Sequence, residues 1–214
     1  MTGVLQEFIK ILPSLFWFFL VVILIKVFYR PIRDDLLPRL GSLEAGNVKL
    51  SFVRDSIDAA IKLAEKSPQW NVDIPVEEKE KAVKRAKKNQ ELFRGAKLLW
   101  VDDFPENNIN ERQMFQQLGV VIDLSKNTED ALEILNRASY DLVISDMARG
   151  NSPTAGLDLL AKLRAKGNRT PLIFYLGVID QTKAVPAGAF GLTNRPDELL
   201  HLALDVLARR YSYG

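Results

Sequence analysis

The chain has no cysteine among its 214 residues and a single histidine, His201. Without thiols there is no disulfide scaffold, no thiolate metal site and no thiol nucleophile, a composition that fits a reducing compartment. With no second histidine and no glycine-rich phosphate loop, catalytic triads, zinc sites and Walker-type nucleotide binding are disfavoured. An excess of one charge is also missing. Lys and Arg total 29 against 27 Asp and Glu, and a net charge of +2 gives no argument for a nucleic-acid partner. What is abundant is apolar: 47% of residues are hydrophobic, which rules out a wholly disordered chain.

These apolar residues are front-loaded. Between Lys10 and Lys26 run fifteen residues without a charge, ILPSLFWFFLVVILI. With both lysines snorkelling, Phe8 to Phe28 gives about 20 residues, enough to cross a hydrocarbon core of ~30 Å. The stretch is apolar on every face, unlike an amphipathic core helix, and no small-residue cleavage site follows it. After it come Lys26, Arg30, Arg33 and Arg39. The excess of positive charge on that side predicts a single span in the inner (cytoplasmic) membrane, with the N-terminus outside and the rest of the chain cytoplasmic.

Residues 31–75 read as a juxtamembrane region, turn-rich at first, with a short strand in VKLSFV and a helix in RDSIDAAIKLAEK. Residues 76–95 follow as a charged connector helix, VEEKEKAVKRAKKNQELFR. Its acids lead and its bases trail, the order that complements a helix dipole. Glu77 with Lys81, Glu80 with Lys84 and Lys87 with Glu91 stand at i,i+4 spacing. This composition reads as a solvated, charge-laced helix, in preference to the alternative of a basic patch at Lys81–Lys88 for nucleic acid or anionic lipid.

From residue 96 to 214 the pattern becomes regular. Apolar runs KLLWV (97–101), VVIDL (120–124), DLVIS (141–145) and PLIFY (171–175) alternate with helical segments near 106–118, 128–138 and 155–166. A weaker run, GAFGL (188–192), leads to a last helix over 197–210. Strands apolar on both faces and separated by amphipathic helices imply an α/β fold, a parallel five-stranded sheet covered on both sides. In such sheets the site lies at the carboxyl ends of the strands.

The first strand ends in Asp102 and Asp103, the third in Asp146. If the two strands are neighbours, three carboxylates meet at one edge. A donor set of carboxylates without histidine or cysteine suits a hard cation such as Mg²⁺. The plainer alternative is that these aspartates cap turns and helices. Arg149 and Arg195 are candidates to bind a phosphate, or else to pair with nearby aspartates.

Residues 96–210 resemble the receiver domain of two-component response regulators. The resemblance rests on KLLWVDD, YDLVISDM, TPLIFY and GAFGLTNRP. It implies a doubly wound, flavodoxin-like sheet of order 2-1-3-4-5. It also implies Mg²⁺ on Asp102, Asp103 and Asp146 with help from the Ala148 carbonyl, Asp146 as phosphoacceptor, and a sensor kinase as partner. Several positions depart from the family pattern. Leu176 stands where the family has Ser or Thr after the fourth strand, Arg195 where it has Lys, and Leu192 at its aromatic position. The loop MARGNSPTAG is about two residues longer than usual, and the fourth helix is cut short.

These features predict a membrane-anchored, degenerate receiver-like module for signalling and protein interaction, acting with a protein partner or as a homo-oligomer rather than as an enzyme. Two alternatives stand beside it. One is a phosphorylatable atypical receiver using Asp146 and Mg²⁺. The other is a TIR-like, nucleotide-processing effector, for which Glu106 and Glu129 are the candidate carboxylates.

Overall fold

The computed structural model describes residues 17, 20, 53–62, 74–177 and 184–212. It divides into two units, Met1–Val48 and Lys49–Gly214. Of the first, only Trp17 and Leu20 are described, both helical. Apart from Trp17 and Leu20, the expected span Phe8–Phe28 therefore lies outside the described residues, as do residues 178–183, within the stretch where the fourth helix of the receiver pattern is expected. Among the described residues no helix is long and apolar enough to cross a membrane.

The second unit opens with α1, helical over 53–62, then α2 (Val76–Lys88) and the short α3 (Gln90–Phe93). The sheet and its helices follow: β1 (Lys97–Val101), a 3-10 turn (Pro105–Asn108), α4 (Ile109–Gln117), β2 (Val121–Ser125), α5 (Thr128–Arg137), β3 (Leu142–Ser145) and α6 (Ala155–Ala165). Then come β4 (Leu172–Tyr175), β5 (Gly191–Thr193) and α7 (Pro196–Ser212). All pairings are parallel, in the order β2-β1-β3-β4-β5. That is the parallel sheet expected from the alternating pattern, in the doubly wound order that the receiver resemblance implies.

Strand alternation explains the two layers. Leu98 and Trp100 of β1 face one core with Met114 and Phe115 of α4 and Leu199, Leu200 and Ala203 of α7. Leu99 and Val101 face the other, with Ala131 and Leu135 of α5 and Leu159, Leu160 and Leu163 of α6. Successive side chains on a strand point to opposite faces, so a strand buried on both must be apolar throughout. β2 departs from that expectation. As an edge strand it exposes Val121 and Leu124, and only Ser125 is buried.

The helices ahead of the sheet belong to the same core. Val53, Ile57 and Ile61 of α1, Ala82, Val83 and Ala86 of α2, and Phe93 of α3 pack with Trp100, Phe115 and α7. Val53 is helical, so the strand expected at VKLSFV does not include it. The i,i+4 pairs expected along α2 are replaced by others. Lys79 pairs with Asp58, Arg54 with Glu80, Lys81 with Glu78 and Arg94 with Glu91. Arg85 reaches Asp205 of α7 and lies 3.1 Å from His201 Nδ1. His201 is thus half-buried at a helix interface, and burial together with the Arg85 charge pulls its pKa down.

Candidate functional site

Register brings the carboxylates together. Val101 pairs with Ser145 across β1 and β3, so Asp102 and Asp146 leave neighbouring strands at the same level. The Asp146 N–H donates to the Val101 carbonyl at 3.0 Å, and the Asp102 N–H to that of Ser125 at 2.9 Å. One carboxylate oxygen from each of Asp102, Asp103 and Asp146 lies within 4.8 Å of the others.

Each carboxylate is oriented by the backbone around it. Asp102 Oδ1 accepts from the Phe104 N–H at 2.7 Å, an Asx-type turn, and Oδ2 accepts from Asn108 Nδ2 at 2.6 Å. Asp103 Oδ2 accepts from the Gly150 N–H at 2.8 Å, and Asp146 Oδ1 from the Met147 N–H at 2.7 Å. Turn-capping and clustering therefore coexist. One oxygen of Asp103 and one of Asp146 accept no hydrogen bond from the described residues. Asn108 is a site residue that sequence reading missed. Its one signal is its place six residues after Asp102 in DDFPENN, just before α4.

The electrostatics fit a cation. Burial pushes the Asp146 carboxyl up to about 6, and the Asp102 and Asp103 charges push the same way. Asp102 is raised as well, first by burial, against the opposing pull of the Phe104 N–H. A partly desolvated set of like charges is relieved by a divalent ion with oxygen preference. The all-oxygen donors, two of them with an unengaged atom, suit Mg²⁺.

Arg149 lies beside this cluster but is turned into the protein. Its Nη1 donates to Ser145 Oγ at 2.7 Å and to the Asp146 carbonyl. Nη2 donates to Thr128 Oγ1 at 3.0 Å and to the Ala155 carbonyl at 2.9 Å. The side chain thereby ties the end of β3 to the N-termini of α5 and α6. It is buried, its Nε has no hydrogen-bond partner, and desolvation lowers its pKa. The longer loop after Asp146 closes on itself through an antiparallel bridge between Arg149 and Ser152. Ala148, whose carbonyl the resemblance assigns to the metal, is exposed on that loop.

Arg195 is committed elsewhere. Nε and Nη2 donate to the two carboxylate oxygens of Asp197 at 3.2 and 2.6 Å. Asp197 is buried in the first turn of α7, and the hydrogen bond to it raises the Arg195 pKa. Leu176 and Leu192 pack, half-buried, against the α5/α6 core. Glu106 is exposed on the 3-10 turn, and Glu129 pairs with Lys162. Neither belongs to the carboxylate cluster.

Gly156 sets the space behind Asp146. A Cβ there would stand 2.6 Å from the Asp146 carbonyl oxygen and 2.8 Å from the Phe174 ring. Its N–H donates to the Met147 carbonyl at 2.8 Å, so α6 begins in direct contact with the site loop.

Residues 98–201 match the family model of the response regulator receiver domain. Similar solved structures include the Thermotoga maritima response regulator TrrA in complex with Mg²⁺ and BeF, 24% identical over 52% of this chain and 98% of that one, with a TM-score of 0.46. The receiver domain of Francisella response regulator 1452 is 23% identical over 54% and 99%, with a TM-score of 0.48. The receiver domain of an HD domain-containing protein from Pseudomonas fluorescens Pf-5 is 26% identical over 56% and 92%, again at 0.48. No curated protein matches the chain.

Proposed function

From the premise that residues 98–201 are a response regulator receiver domain, we propose that this protein is a membrane-anchored signalling module whose receiver binds Mg²⁺ but has lost the phosphoryl-driven switch. The observation that carries the reading is the pairing of Arg195 with buried Asp197, beside Leu176 in the hydroxyl position. A phosphoryl group on Asp146 would be a dianion needing donors in addition to the metal. The Leu176 side chain has none, Arg195 directs Nε and Nη2 at Asp197, and the Nη1 and Nη2 bonds of Arg149 go to protein oxygens, which leaves only its buried Nε without a partner. Mg²⁺, when bound, neutralises the carboxylate cluster. Asp102, Asp103 and Asp146 would hold it, with Asn108 and the Gly150 N–H fixing the first two.

Signal then passes by association of the domain with a protein partner or a second copy. The anchor is the uncharged run between Lys10 and Lys26, and the bases from Lys26 to Arg39 support a cytoplasmic receiver. Titrating Mg²⁺ while following thermal unfolding tests the metal half of the proposal. Stabilisation that is lost in Asp103→Asn supports it, and an unchanged melting curve at millimolar Mg²⁺ refutes it.

One observation favours a second reading, a phosphorylatable atypical receiver served by a sensor kinase. Asp146 keeps an unengaged carboxylate oxygen in a cluster suited to Mg²⁺. Exposure to a small phosphodonor separates the two readings.

A further inference from the structure

The outer face of α2 carries a stripe of lysines that the fold does not use. Ala82, Val83 and Ala86 define its buried side. At roughly 100° per residue, Lys84 and Lys88 stand opposite that side, with Lys81 and Lys87 flanking them. All four are exposed. The acids of the helix neutralise them only in part, with exposed Glu77 on the same side four residues before Lys81. Glu80 is bound to Arg54 at 2.8 Å, and Glu78 is paired with Lys81 at 2.7 Å. Lys84, Lys87 and Lys88 have no ion-pair partner among the described residues.

We propose that this face lies against an anionic lipid surface. Ammonium groups on long stems, spread along about two turns, attract a diffuse negative surface without requiring a shaped partner. The opposite side of α2 is fastened to the domain by Arg85, which binds Asp205 and contacts His201, and by packing in the main core. Lipid contact through the lysines would therefore fix the orientation of the whole domain. Lipid is preferred to another polyanion because the sequence carries an uncharged apolar run between Lys10 and Lys26, long enough to tether the chain to a bilayer. That choice rests on the membrane-anchored reading.

The test uses the full chain with vesicles of phosphatidylcholine alone or of phosphatidylcholine with phosphatidylserine. An amine-acetylating reagent is added, and modification of each lysine is followed by peptide mass spectrometry. On anionic vesicles Lys84, Lys87 and Lys88 should react roughly tenfold more slowly than on neutral ones, since each lysine near such a surface is worth about fivefold in partition. Exposed Lys126 and Lys166 should react alike on both. The protection should vanish near ~1 M salt. In Lys84→Glu/Lys87→Glu/Lys88→Glu, Lys81 should regain its neutral-vesicle rate.

Equal rates on both vesicle types would overturn the inference. So would equal protection by a short DNA duplex at matched phosphate concentration, which would mark a general polyanion site. Flotation with neutral vesicles reads the anchor separately. Its loss would refute the span while leaving the lysine result to stand or fall alone.

Discussion

Arg195 holds the buried carboxylate of Asp197 through two hydrogen bonds, at 3.2 and 2.6 Å. The cation that stands before Pro196, at the end of β5, is thus a fastening for the first turn of α7. Removing one partner of such a pair leaves a buried charge unmatched. Arg195→Ala should cost about 2 kcal/mol, because the guanidinium side is partly solvated. Adding Asp197→Ala should recover part of that loss, a coupling that denaturant unfolding of both single variants and the double variant measures. Strictly additive losses would show that the pair contributes nothing.

Gly156 has no room for a side chain. Gly156→Ala places a methyl group 2.6 Å from the Asp146 carbonyl and 2.8 Å from Phe174, contacts that backbone or ring must move to relieve. The expected cost is about 1–3 kcal/mol. Because the displaced carbonyl adjoins the carboxylate cluster, Mg²⁺ affinity measured by calorimetry should fall with it. Unchanged affinity together with unchanged stability would contradict the packing described.

Asp146 gives the folded state a pH dependence of definite sign. Its carboxyl titrates near 6 when folded, against an ordinary value of 3.8. The folded protein therefore binds the proton more tightly. Stability from this group is full below about pH 4 and is lost as pH rises through 6. In metal-free buffer, wild type should lose stability relative to Asp146→Asn between about pH 4 and 6 in urea titrations. Mg²⁺ needs the ionised carboxylate, so its affinity should rise over the same window. A difference between the two proteins that is flat with pH would remove this account.

The helices before the sheet are structural. Ile57, Ile61, Val83 and Phe93 are buried in the main core. Each such side chain is worth about 1.5–3 kcal/mol, so together they rival the ~5–15 kcal/mol that holds a whole domain folded. Residues 96–214 alone should unfold without a cooperative transition, whereas 49–214 should melt cooperatively. Equal calorimetric midpoints for the two fragments would disprove the shared core.

Much of this was legible in the sequence because strands buried on both faces must be apolar throughout. Runs such as KLLWV and PLIFY announced β1 and β4, and aspartates at two strand ends announced the cluster once β1 and β3 became neighbours. β2 looked alike in sequence yet lies at the edge, since apolar content does not reveal a strand's place in the sheet. The docking of α2 was hidden because two of its three buried residues are alanines, and charges on the remaining faces read as solvation. The bonds of Arg149 join residues up to 21 positions apart. No local pattern reports such closure.

The central claim is that the Mg²⁺ site persists while the phosphoryl anchors do not. Intact-mass spectrometry after incubation with Mg²⁺ and acetyl phosphate tests it, using wild type beside Leu176→Thr/Arg195→Lys/Asp197→Asn, in which a hydroxyl and a free cation are supplied. The account predicts that a phosphoryl adduct accumulates only in the triple variant and is lost when Asp146→Asn is added. An adduct of equal occupancy on wild type, also dependent on Asp146, would contradict it.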